Sequence, residues 1–132
     1  MKPLPLLIVG IGGAFGSICR YLAQVCIGRH TTPTFPVGTL VVNLTGCFLI
    51  GFIFTISATE GRFYLSPLQR QFIMIGILGG YTTFSSFSLQ TLLLAQNNQW
   101  FGAAANVTLS VVLCLVGTWL GSLLAGSLNQ IR

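Results

Sequence analysis

The stretch GGYTTFSSF, Gly79 to Phe87, decides how this chain folds. It lies inside a long apolar run, yet two glycines, four hydroxyl residues and a tyrosine are poor material for a helix that only has to cross a membrane. Gly79-Gly80 followed by Thr82-Thr83 is a sequence that breaks a helix, because glycine and β-branched residues are weak helix formers. A break at membrane depth exposes backbone carbonyls and amides. Such backbone is tolerated only where it is buried in protein or lines a cavity, and its carbonyls suit a cation, as in transporters with discontinuous helices. Beyond the break, Thr83, Ser86 and Gln90 fall on one face by three-four spacing, with Phe84 and Phe87 on the adjacent face.

Working outward, the setting is a membrane. The chain has 132 residues, 53% hydrophobic and only 5% charged, against roughly a quarter charged in soluble domains. Each membrane span needs about 20 apolar residues. Four such stretches fit, at about residues 4–27, 38–58, 67–95 and 100–128, with almost nothing left over. The expected fold is an all-α membrane protein: a single domain over residues 1–132, with four transmembrane helices and a break in the third. Pro67 opens the third span well, while Pro33 and Pro36 keep the first loop out of a helix. The first apolar stretch is too long and glycine-rich for a removable leader.

The net charge of +5 does not indicate nucleic acid as a partner. Lys2, Arg20, Arg29, Arg62, Arg70 and Arg132 are scattered, and most fall at helix ends, where they act as anchors; Glu60 is the only acid. Four spans place both termini on one side with Lys2, Arg62, Arg70 and Arg132. Arg29, with Arg20, falls on the other side, so the positive-inside rule puts the termini in the cytoplasm by a narrow margin. Cys19, Cys26, Cys47 and Cys114 all lie in apolar segments without metal-ligand spacing, so neither a disulfide framework nor a metal site is expected from them. GIGGAFG (Gly10 to Gly16) has the wrong spacing for a dinucleotide loop. The pairs Gly12/Gly16, Gly76/Gly80 and Gly117/Gly121 have the spacing of close helix crossings, either within the chain or between two copies. No catalytic constellation is present, and an enzyme is not expected.

Polar residues within spans are costly in hydrocarbon and tend to mark function. Arg20 lies near the end of span one and Asn43 inside span two. Asn106, Ser110, Cys114 and Thr118 follow one another at intervals of four in span four, which places them on one stripe. The stripe is either an interhelical hydrogen-bond seam or a polar track for a solute. No acid lies within any span, so the inventory is neutral donors plus one arginine. That inventory suits a small anion, since weak neutral sites replace hydration without trapping the ion. The positive edges of the Phe84 and Phe87 rings would add to this. On the sequence alone, ordinary packing is the readier account of the two rings.

At this point the residues resemble a known family, the Fluc (CrcB) fluoride channels, over essentially the whole chain. GGAFGSICRY (Gly12 to Tyr21), GTLVVNLTG (Gly38 to Gly46) and GGYTTFSSFSLQT (Gly79 to Thr91) are similar, in order, to the motifs of the family's first three helices. The resemblance implies a passive channel in the bacterial inner membrane. It would export fluoride that enters from acid surroundings as neutral HF, and so give fluoride resistance. It implies an antiparallel, dual-topology dimer with pores at the subunit interface, formed by a second copy or an oppositely oriented relative. On this resemblance Phe84 and Phe87 line the pore, Asn43 donates its amide to fluoride, Thr83 and Ser86 are pore hydroxyls, and Asn106, Ser110 and Cys114 form the fourth-helix polar track. Arg20 lies near the vestibule. The carbonyls of Gly79 and Thr82 hold a structural sodium ion at the dimer centre.

Three departures stand out. Gln90 replaces the usual glutamate, Asn106 and Cys114 differ from the usual track residues, and the charge bias exceeds what dual topology favours. Two other transport classes compete. A small four-helix drug exporter needs a glutamate within the membrane, which is absent here. A fluoride/proton antiporter lacks an obvious carboxylate. A non-transporting scaffold would explain the glycine pairs but not the broken helix with its polar stripe.

Overall fold

The four apolar stretches become four helical spans of membrane length: Pro3–Gly28, Val37–Ile56, Pro67–Gln96 and Trp100–Gln130. They agree with the sequence-based limits to within two residues. The structure is a computed structural model and describes residues 3–31, 34–58, 61 and 63–131. Pro33, and Lys2, Glu60, Arg62 and Arg132, which weigh in the charge-based orientation, lie outside the described residues.

In chain order the elements are α1 (Pro3–Gly28), α2 (Val37–Ile56), α3 (Pro67–Arg70), a π-helical segment (Gln71–Leu78), α4 (Gly79–Tyr81), α5 (Phe84–Gln96) and α6 (Trp100–Gln130). The third span is thus four consecutive pieces. It opens as its sequence predicts. Pro67 takes the first helical position, and Ser66 and Gln69 form a reciprocal capping box. Arg70 donates to the Ser57 carbonyl at 3.1 Å and lies 5.1 Å from the centre of the Phe54 ring, which ties the start of this span to the end of α2.

With no hydrophobic drive between helices in lipid, close packing of small residues holds the spans together. All three glycine pairs make their close contacts within the chain. Gly12 and Gly16 on α1 face the third span. A Cβ on Gly12 would lie 2.8 Å from the Phe72 carbonyl oxygen, and one on Gly16 would collide with the Ile77 carbonyl. Gly80 meets the backbone of Gly13 just as tightly. On the other side α2 and α6 run parallel along most of their length. Gly121 abuts the Phe48 carbonyl, and Gly51 abuts that of Thr118. Large apolar side chains such as Leu7, Phe54, Leu115 and Trp119 point outward, as lipid requires.

This seam predicts a graded response. Gly16→Val and Gly121→Val should each destabilise the detergent-solubilised protein by about 1–3 kcal/mol or prevent folding. Gly10→Ala and Gly126→Ala, where nothing lies within 4 Å of the added carbon, should leave the melting midpoint unchanged or raise it. Equal midpoints for all four variants would contradict the packing.

Candidate functional site

The helix breaks at Thr82-Thr83, not at the glycines. Thr82 has φ −79° and ψ 157°, and Thr83 has φ −149° and ψ 112°, both extended. Gly79 and Gly80 remain helical. The expectation that the glycines break the helix is therefore corrected. Gly80 is small because α1 passes against it, and the threonines make the break. The Thr82 N–H and Oγ1 both donate to the Leu78 carbonyl at 3.0 Å, which closes the helix before the break. Thr83 then caps α5, its Oγ1 accepting from the Ser86 N–H at 3.2 Å and donating to Ser86 Oγ at 3.0 Å.

The opened backbone is taken up by the polar residues that stand out in spans one and two. Asn43 Oδ1 accepts from the Thr83 N–H at 2.8 Å, and Asn43 Nδ2 donates to the Thr83 carbonyl at 3.0 Å. Arg20 Nη1 donates to the Thr82 carbonyl at 3.2 Å, and Ser17 Oγ donates to the Gly80 carbonyl at 3.4 Å. Because the Thr83 N–H is turned to Asn43, the Gly79 carbonyl loses the donor that a continuous helix would have given it. Gly79 and Thr82 share a cavity of about 110 Å³ with Gly46, Cys47, Ile50, Met74 and Leu78.

A larger cavity of about 330 Å³ lies on the other side of the break. Asn43, Thr83, Phe84, Phe87, Ser110 and Cys114 all line it, together with Cys47, Thr82, Val111 and Leu115. None of these side chains carries a fixed charge. The Phe84 and Phe87 rings are 5.2 Å apart between centroids and tilted by 53°. Phe87 is 8% exposed and Phe84 77% exposed. Ser110 is buried, and its Oγ has no hydrogen-bond partner among the described residues.

Two of the expected pore residues do not line this cavity. Ser86 is engaged in the cap of α5. Asn106 is 1% exposed and donates from Nδ2 to Thr91 Oγ1 at 2.8 Å; Thr91 in turn donates to the Phe87 carbonyl at 2.8 Å. Asn106 therefore secures the turn that carries Phe87. Gln90 lines a separate cavity of about 430 Å³ with Thr34, Pro36, Leu93, Leu94, Asn97 and Gln99, and its Oε1 is buried without a partner among the described residues.

Sequence reasoning passed over the matching stripe on α2. Thr39, Asn43, Cys47, Gly51 and Thr55 repeat at intervals of four, as do Asn106, Ser110, Cys114, Thr118 and Ser122. The two helices lie in a register offset by 67 residues: Thr55 Oγ1 and Ser122 Oγ are 2.8 Å apart, and Gly51 packs on Thr118 at the same offset. Of the sequence-based alternatives, the structure shows a hydrogen-bond seam over part of the stripe and a cavity beside the rest. Thr55–Ser122 is a seam, while Asn43 and Ser110 at the same offset open onto the cavity.

Known proteins resemble this chain over nearly its whole length. The family model described as CrcB-like protein, Camphor Resistance (CrcB), matches residues 7–122. A fluoride-specific ion channel FluC of Opitutus terrae is 49% identical over 126 residues, 96% of each chain. Its namesake in Rhodospirillum rubrum is 51% identical over 124 residues, 94% of this chain and 96% of the relative. That of Methylocella silvestris is 44% identical over 122 residues, 92% and 93% of the two chains.

Asn43→Ala would leave the Thr83 N–H and carbonyl both unpaired. At about 1–3 kcal/mol for each orphaned group, the unfolding midpoint should fall well below that of the parent protein. A midpoint equal to the parent's would show that the clamp is dispensable.

Proposed function

The chain belongs to the CrcB family, and from that premise we propose that it is a fluoride-selective passive ion channel of the bacterial inner membrane, exporting cytoplasmic fluoride and so giving fluoride resistance. One observation carries the reading: an uncharged cavity in which the Asn43 amide stands near a buried Ser110 hydroxyl with no protein partner among the described residues. An unpaired hydroxyl in such a place costs stability unless something accepts its proton. Fluoride is small and a strong hydrogen-bond acceptor. One Asn43 Nδ2–H and the Ser110 O–H replace part of its hydration shell. The edges of the Phe84 and Phe87 rings supply weak positive potential. The absence of a fixed cation from the lining keeps the ion from being trapped, which conduction requires.

The remaining parts follow. Phe84 is 77% exposed although its ring borders the cavity, and a second copy in antiparallel orientation, or an oppositely oriented relative, would close that side. The pores then lie at the subunit interface. Thr83 turns its hydroxyl to the cap of α5 and its backbone to Asn43, and Ser86 holds that cap. Cys114 continues the fourth-helix track one turn beyond Ser110, while Asn106, off the cavity, holds Thr91 and through it the turn that carries Phe87. Arg20, half-buried at the break, offers positive charge at the vestibule.

The residues at the break also fit a structural sodium ion. Gly79 has a carbonyl relieved of its helix donor, and that of Thr82 is bonded, among the described residues, to Arg20 alone, with a lone pair to spare. A second copy would supply two more. When bound, the ion would neutralise these dipoles and join the two subunits. The carbonyls, Arg20 and Asn43 hold the backbone open for it.

The function is tested by fluoride efflux from liposomes containing only this purified chain, under a potassium gradient. Efflux should require valinomycin and exclude chloride. Phe84→Ile and Phe87→Ile should each slow it by about tenfold or more, a barrier rise of about 1.4 kcal/mol, while the protein remains folded. Efflux that runs without valinomycin but dissipates a proton gradient would favour the antiporter. Full efflux in both variants would remove the rings from the pathway.

A further inference from the structure

Two cysteines in different spans meet at the wall of the cavity. Cys47 on α2 and Cys114 on α6 stand at the same offset of 67 residues as the Gly51/Thr118 contact and the Thr55–Ser122 hydrogen bond, one and two turns further along. That register sets the two side chains side by side, between the Asn43/Ser110 level and the Gly51/Thr118 contact. Both line the 330 Å³ cavity, one turn from Asn43 and Ser110. Neither is part of a disulfide. The local spacing of each cysteine hides this pair, because the partner lies in another span.

We infer that Cys47 and Cys114 form a two-sulfur binding site for a soft, two-coordinate cation, of which divalent mercury is the simplest probe, and that filling it closes the cavity to ions. Soft metals select thiolate sulfur over oxygen and nitrogen. Two thiols and one divalent ion give a neutral complex: two S–H bonds break, two S–metal bonds form, and two protons leave to solvent. A neutral product suits a cavity whose lining carries no fixed charge. A hard cation finds no carboxylate in that lining. The two helix backbones are pinned one turn away by the Gly51/Thr118 contact, so the sulfurs face one another without a hinge. The bridge would sit beside Phe87 and Ser110, where the proposed ion path is lined.

The binding part of the inference stands apart from the proposed function; the closing part rests on it. The test uses the full-length Cys19→Ser/Cys26→Ser variant, so that only the cavity thiols remain, titrated with mercuric chloride. Thiol titre and metal content should show one ion retained per chain with both thiols consumed, and Cys47→Ala in that background should lose the bridge. Fluoride efflux should fall by about tenfold or more on addition of the ion and return with excess dithiol. Two ions per chain, one on each sulfur, or no uptake would overturn the site. Bridging without loss of efflux would overturn the closing of the cavity. Were the untreated protein to pass no fluoride, the channel reading would fail, and the stoichiometry alone would still decide the site.

Discussion

The two hydrogen bonds between the Asn43 amide and the backbone of Thr83 are the interaction on which the rest of the structure depends. Within a bilayer no water is at hand to satisfy an opened backbone, so a helix can break only where protein groups replace the lost bonds. A side-chain amide is suited to this, since it offers a donor and an acceptor side by side, as a peptide does. Arg20 and Ser17 complete the replacement from the other flank. With those groups in place Thr82 and Thr83 stay extended. The third span then turns Phe84 and Phe87 toward α6 and leaves the Gly79 carbonyl without its helix donor.

The clamp works only if α1 and α2 are held at fixed depth against their neighbours. The glycines hold them there. On α1, Gly12 and Gly16 let the third span approach to backbone contact, which brings Arg20, one turn on, to Thr82. On the α2–α6 side, Gly51 and Gly121 fix a parallel register that sets Asn43 opposite Ser110 and Cys47 opposite Cys114. Most hydroxyls elsewhere satisfy themselves locally, as Thr118 does on the Cys114 carbonyl and Ser88 on that of Phe84. Ser110 does not, and this separates it from a merely tolerated serine.

Much of this was legible in the sequence. Hydropathy located the spans, since lipid imposes the same length and composition on each. Pro67 marked the start of the third span, and the conflict between GGYTTFSSF and a greasy helix located the break. What escaped depends on partners distant in the chain. Gly80 read as a breaker because its contact, the backbone of Gly13 on α1, lies more than sixty residues away. The π-helical segment Gln71–Leu78 has no local signature; Gly76 within it packs on Gly12. The role of Asn106 was obscured because its partner, Thr91, is an ordinary helix threonine until the two spans are brought together.

The central claim is that the unpartnered Ser110 hydroxyl of the cavity exists for a passing anion and not for the fold. Ser110→Ala isolates it, because the substitution removes a hydroxyl that bonds nothing among the described residues. Unfolding midpoint and fluoride efflux from liposomes would be measured on the same preparation. The account predicts an unchanged or raised midpoint with efflux slowed by about tenfold. Unchanged efflux with a lowered midpoint would contradict it, and would make Ser110 a packing residue beside a cavity that ions do not use.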